Sequence, residues 1–127
     1  MDSTLLLPPL WLIRAAVAAV WLYEGLWCKL LQGEPRQAQV VKAAAEGGLP
    51  VGTTFLKLLG IVEVALAGWV LTGIAPVLCA IAQTALLVAL NTGGILWARH
   101  VIHDPAGMVV KNVAFLVLAW VAASFSQ

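Results

Sequence analysis

Charged side chains stand inside four segments that are otherwise apolar. Glu24 lies in the first of four hydrophobic runs, and Lys111 lies in the fourth. Lys57 and Glu63 both lie in the second. An ionised side chain at the centre of a bilayer costs about 2.5–3.5 kcal/mol on lenient scales, so such groups face a bundle interior and pair. Because buried acids and amines can exchange protons with a ligand, Glu24, Glu63 and Lys111 are the candidate catalytic residues.

The acids and amines are expected to neutralise one another. We predict ion pairs between either glutamate and the two lysines, Lys57 and Lys111. Lys29 lies close to the end of the first run, so its ammonium is expected to extend to the membrane interface. An acid left without a partner would be a candidate proton carrier. Buried ion pairs can instead serve only to fix which helices pack together, and this alternative stays open.

Polar and aromatic side chains near these charges could line a binding pocket. Carboxamides hydrogen-bond carbonyl oxygens, and indole rings stack on flat ligands. The candidate ligand-binding residues are Asn112, Lys57, Trp27, Trp21 and Asn91. The alternatives are structural: indoles form belts at span ends, carboxamides bridge helices, and lysines extend to the interface.

Composition places the chain in a membrane. Of its 127 residues, 62% are hydrophobic and only 10% are charged, with a mean hydropathy of +0.98. Soluble domains carry about 45–50% apolar and about 25% charged residues. The length suits a single domain over residues 1–127, and a net charge of +1 argues against a nucleic-acid partner.

The hydrophobic runs predict four transmembrane helices, at about residues 10–31, 54–71, 75–97 and 105–125. Each has enough residues to cross about 30 Å of hydrocarbon at about 1.5 Å per residue. In the longest connection, Pro35 and the pair Gly47-Gly48 bound a short amphipathic segment. It is predicted to be an interfacial helix, with a disordered loop as the alternative. The fold class is therefore an all-α membrane protein, an antiparallel four-helix transmembrane bundle with an interfacial helix between spans one and two.

Basic residues predict the orientation. Six lie at or near the end that carries the longest connection and "RHVIHD": Lys29, Arg36, Lys42, Lys57, Arg99 and Lys111. Only Arg14 lies nearer the other end. Positive charge favours the cytoplasmic side, so both termini are expected outside the cytoplasm.

The sequence indicates no cofactor held by the chain itself. His100 and His103 with Asp104 fall short of the four ligands usual in a structural metal site, and Asp104 before Pro105 is typical of a helix N-cap. No metal site is predicted. The two cysteines form no CxxC motif and are expected to be buried spectators.

Three segments carry a family resemblance: "EGLWCKL", "KLLGIVEVALAGWVLTG" and "DPAGMVVKNVAFLVL". Together they resemble the DoxX-like family of small bacterial four-helix membrane proteins. The matching positions are Gly25, Lys29, Gly60, Glu63, Gly73, Lys111 and Asn112. The resemblance implies a bundle in the bacterial inner membrane. It also implies an association with quinone-linked oxidation of thiosulfate, beside a terminal oxidase, as in the founding members.

Three hypotheses follow, and whether the chain is an enzyme stays open. The first is a redox subunit that binds a quinone and works with redox or other membrane-protein partners. The second is a non-catalytic partner or assembly factor of a larger membrane complex. The third, a transporter or proton pathway, is disfavoured because the sequence shows neither broken-helix signatures nor an inverted repeat. Contact with the lipid bilayer is common to all three, and a homo-oligomer is compatible with each.

Overall fold

The computed structural model describes residues 8–126, and every regular element within them is helical. Helix α1 (Leu10–Leu22) continues directly into a π-helical segment (Tyr23–Leu30). The elements that follow are α2 (Pro35–Glu46), α3 (Thr53–Thr72), α4 (Pro76–Ala98), a 3₁₀ turn (Arg99–Val101) and α5 (Pro105–Phe125). The predicted all-α architecture is confirmed.

Four of these helical stretches are long and apolar enough to cross a membrane. They are Leu10–Leu30, Thr53–Thr72, Pro76–Val101 and Pro105–Phe125. Their outer faces expose large hydrophobic side chains such as Leu58, Leu96 and Val110. Lipid solvates such side chains at no cost, whereas a water-soluble bundle would place polar residues there. The chain is therefore an integral membrane protein that crosses the bilayer more than once.

The helix ends follow the local sequence. Helices α2, α4 and α5 each begin with a proline, whose missing N–H is not needed in the first helical turn. The carboxylate of Asp104 accepts a hydrogen bond from the Gly107 N–H at 3.0 Å, which is the predicted N-cap of α5. Helix α3 ends at Gly73, whose φ of 69° lies in the left-handed region that glycine adopts without steric cost.

Helix α1 is the centre of the packing. Together with the π segment it packs along α3, and it also contacts α5, which in turn packs along α4. The apolar core between them is built mainly from small and branched side chains around Val17, Trp21, Leu66 and Ala119.

Helix α2 lies across one end of the bundle. It contacts α3, α4, the π segment and the 3₁₀ turn, so the long connection and the 99–104 connection lie at the same end. We call this the loop end. The opposite end, here the turn end, carries the tight α3–α4 turn. The predicted short helix between spans one and two is therefore present, and α2 is anchored by the buried side chains of Ala43 and Ala44.

Two glycines let the π segment and α3 approach closely. A Cβ atom added at Gly25 would lie 2.7 Å from the carbonyl oxygen of Gly60, and one added at Gly60 would lie 2.8 Å from that of Gly25. Both obstacles are backbone atoms, which cannot rotate away. Close contact between backbones is how small residues stabilise helix pairs in membranes.

Substitution of Gly60 by alanine should destabilise the bundle. The new methyl group overpacks the contact, and we expect Gly60→Ala to lower the free energy of unfolding by about 1–3 kcal/mol. Gly68→Ala is the matched control, because Gly68 lies in the same helix with open space around it. Alanine should there be neutral or stabilising by up to about 1 kcal/mol. Reversible unfolding in mixed micelles, followed by circular dichroism, measures both, and equal effects would contradict the close-contact account.

Candidate functional site

The π-helical geometry aligns Glu24 with Lys29. In an α-helix, residues five apart point about 140° away from each other. In a π-helix the hydrogen bonds join residues five apart, as in the 2.9 Å bond from the Leu31 N–H to the Leu26 carbonyl. Residues five apart therefore lie on the same side of the helix. The segment thus presents Glu24 and Lys29 on a common face.

A buried ion pair joins the π segment to α3. The Nζ atom of Lys29 lies 2.8 Å from Oε1 and 2.9 Å from Oε2 of Glu63. Lys29 is 5% exposed and Glu63 is 1% exposed. A charge pair so close, in an environment with little water, is strongly held as long as both partners are present.

This pairing corrects two expectations from the sequence. Lys29 does not extend to the interface, and Glu63 pairs with neither Lys57 nor Lys111. The cause is the glycine contact: the Cβ of Lys29 lies against Gly60, so its side chain starts inside the helix–helix contact. From there it reaches Glu63, which lies one helical turn further along α3.

Glu24 extends the ion pair toward the surface. Its Oε2 atom lies 3.7 Å from Nζ of Lys29, and its side chain is 38% exposed. The same oxygen accepts a hydrogen bond of 2.7 Å from Nε2 of Gln37, on the first turn of α2. The Glu24–Lys29–Glu63–Gln37 group, which we call the acid cluster, holds two carboxylates and one ammonium. With both acids ionised, it carries one excess negative charge and can accept one proton.

Gln37 is the member of the cluster that the sequence did not reveal. It belongs to the connection between spans, where a glutamine is ordinarily solvated. Only the packing of α2 over the loop end brings it to Glu24. Its position in the first turn of a helix that begins with Pro35 was the one available signal, and that signal gives no partner.

Lys57 and Lys111 lie outside the acid cluster. Both side chains are exposed, and neither forms an ion pair or a hydrogen bond with Glu24 or Glu63. The predicted pairing of the two glutamates with these lysines is therefore wrong. A role for either lysine in contact with a ligand stays a prediction.

Asn91 and Asn112 bind each other across the α4–α5 contact. Nδ2 of Asn112 donates to Oδ1 of Asn91 at 2.9 Å, and Nδ2 of Asn91 donates to the Leu87 carbonyl at 2.8 Å. A second bond, from Trp120 Nε1 to Thr84 Oγ1 at 2.9 Å, links the same helices. These contacts match the alternative of interhelical hydrogen bonding. The predicted binding of a ligand by the two asparagines remains a prediction.

The two tryptophans that flank Glu24 in sequence occupy different environments. Trp21 is buried, its Nε1 donates to Oε1 of Gln83 at 2.7 Å, and its ring meets Phe115 edge-on at 5.5 Å. Its faces are used by the core. Trp27 is 49% exposed and its ring packs against Gly33, on the outside of the bundle, where a flat ligand could reach it.

A second polar group lies at the turn end. The guanidinium of Arg14 packs against Gly73, and Nη2 donates to Ser126 Oγ at 2.9 Å. Among the described residues its Nε is buried without a hydrogen-bond partner, and the side chain borders a cavity of about 20 Å³. That volume holds one water molecule. Within residues 8–126, no group of three or more His, Cys, Asp or Glu side chains is arranged around a metal site.

Loss of one partner of the buried pair should cost more than loss of an exposed lysine. We expect Lys29→Met or Glu63→Gln to lower the free energy of unfolding by about 3–5 kcal/mol, because the remaining group is left buried without its partner. Lys57→Met, which removes an exposed lysine from the same part of the bundle, should change it by less than about 1 kcal/mol.

The double variant Lys29→Met/Glu63→Leu tests the cause. It removes both charges and should recover most of the loss. Unfolding in mixed micelles gives all four values. A double variant as unstable as the single ones would show that the pair's shape, not its charge balance, is what the bundle needs.

Comparison with known proteins agrees with the architecture and with the motifs. The profile of the DoxX-like family matches residues 18–120, which is most of the chain and includes the π segment, the second and third spans in full, and the greater part of the first and fourth spans. No curated protein and no solved structure matches the chain. On the strength of the family match, the chain is a member of the DoxX-like family.

Proposed function

We propose that this protein is a membrane subunit of a quinone-linked redox system, and that the acid cluster accepts a proton from a bound quinol. The observation that carries the proposal is the half-exposed carboxylate of Glu24, which lies between the bundle surface and the buried Lys29–Glu63 pair. The Glu24 carboxylate could therefore contact a ligand at the surface and the ammonium of Lys29 in the interior.

The head group would dock on the outside of the π segment. The exposed ring of Trp27 offers a face for stacking, and the carboxylate of Glu24 accepts a hydrogen bond from a ring hydroxyl. Gln37 donates a hydrogen bond to that carboxylate, which restricts its direction. The segment belongs to a membrane span, so a ligand dissolved in lipid reaches it without crossing water.

Lys29 and Glu63 supply the buried charges next to the proposed quinone site. The ammonium of Lys29 is shared between Glu63 at 2.8 Å and Glu24 at 3.7 Å. When Glu24 takes up a proton, the cluster becomes neutral and Lys29 stays fully engaged with Glu63. A quinol releases two protons and two electrons on oxidation; Glu24 would receive one proton, and the second proton and both electrons would pass to a redox partner in the same membrane.

A non-catalytic role in a larger membrane complex is the second candidate. The Lys29–Glu63 pair is buried in the core. An ion pair that only fixes helix packing would be buried in the same way. In that case Glu24 would anchor α2 through Gln37 and bind no ligand.

Quinone binding distinguishes the two candidates. We expect short-chain ubiquinone or menaquinone analogues to quench the tryptophan fluorescence of the protein in nanodiscs, and Trp27→Phe to remove most of the quenching. Glu24→Gln should weaken binding of the reduced analogue about tenfold, as loss of a charge-assisted hydrogen bond does. Glu46→Gln is the matched control, since it removes an exposed glutamate from the far end of α2 and should leave binding unchanged.

Two results would count against the quinone site. One is the absence of quenching by either class of analogue, and the other is an equal loss in Glu24→Gln and Glu46→Gln. If the variants also keep their place in a stable complex isolated from the native membrane, the assembly role is the one that remains.

A further inference from the structure

We propose that Lys57 and Lys111 bind the phosphates of anionic phospholipids in the leaflet at the loop end. Both lysines are charged side chains of the spans, and both lie outside the acid cluster. Their depth, their surroundings and the absence of a counter-charge within residues 8–126 support this binding, independently of the quinone site.

Lys57 lies at the depth where the first span ends. It is exposed on α3, three residues toward the loop end from Gly60. Gly60 packs against Lys29 and Leu30, which are the last residues of the first span. One helical turn further outward is therefore the level at which the chain leaves the hydrocarbon, and phosphates lie at that level.

Lys111 lies somewhat deeper, on α5. It is six residues after Pro105, about 9 Å from the start of the helix. Its neighbours Val110 and Val113 are 68% and 55% exposed, as expected of a face in contact with lipid. An ammonium on such a face is stabilised when the alkyl stem lies along the helix and carries the charge outward to the head groups.

The acids of the loop end do not neutralise these lysines. Glu63 is paired with Lys29, Asp104 caps α5, and Glu34 lies beside Arg36. Among residues 8–126, no carboxylate lies within 4.0 Å of either Lys57 or Lys111. The counter-charge must come from outside the described part of the chain.

Lipid supplies that charge better than a single partner helix does. Lys57 lies on α3 and Lys111 on α5, and these two helices each pack against α1. One partner helix would meet one lysine, whereas a leaflet surrounds the bundle and presents phosphates to both. Anionic lipids attract basic side chains near a membrane surface by about 1 kcal/mol each, which corresponds to about a fivefold change in affinity.

Lipid titration of the purified protein tests this. We expect native mass spectrometry from detergent to show phosphatidylglycerol bound in preference to phosphatidylcholine. Lys57→Gln and Lys111→Gln should each weaken phosphatidylglycerol binding about fivefold and leave phosphatidylcholine binding unchanged. Lys42→Gln removes the same charge from the exposed side of α2 and is the matched control, with little expected effect. Circular dichroism establishes that each variant is folded.

Three outcomes would overturn the proposal. The first is no preference for phosphatidylglycerol. The second is an equal loss in Lys42→Gln, which would show that binding follows net charge and not these two positions. The third is unchanged lipid binding with loss of a co-purifying membrane protein, which would assign the lysines to a protein contact. None of these results bears on whether Glu24 and Trp27 bind a quinone.

Discussion

The salt bridge between Lys29 and Glu63 is the constraint around which the loop-end half of the bundle is organised. Two opposite charges in an apolar interior are tolerated only when they are close together and jointly satisfied. Here the distance of 2.8 Å depends on the contact between Gly25 and Gly60, since a larger residue at either position would separate the helices. Helix packing and charge pairing thus impose the same register on the first two spans.

The π segment allows a combination of side-chain directions that an α-helix would not allow. Gly25 and Lys29 must face α3, while Glu24 must lie close enough to Lys29 to share its charge. An α-helix would turn Glu24 well away from Lys29, whereas π geometry brings them to one face. π-helical turns are often found at functional sites, and here the turn carries the half-exposed acid and the exposed indole of the proposed quinone site.

The two halves of the bundle use polar groups differently. At the loop end, charges form a cluster that reaches the surface through Glu24 and is covered by α2. Toward the turn end, Trp21 and Gln83 are joined by a neutral hydrogen bond, and the guanidinium of Arg14 donates to Ser126. Chemistry that involves a proton is therefore expected at the loop end, and the rest of the bundle provides a stable frame.

The class of fold, the four spans and the N-cap at Asp104 can be predicted from the sequence, because hydrophobic length and local capping depend only on neighbouring residues. The sequence also predicted that Glu63 turns inward, which the structure confirms, but it predicted the same of Lys57 and Lys111, which are exposed. The tertiary structure decided the partner: Lys29, which by its position could equally have extended to the interface, is held inside because Gly25 and Gly60 bring its backbone against α3. The contribution of Gln37, and the exclusion of Lys57 and Lys111 from the cluster, likewise depend on how the helices are rotated about their axes, which spacing along a uniformly apolar span does not specify.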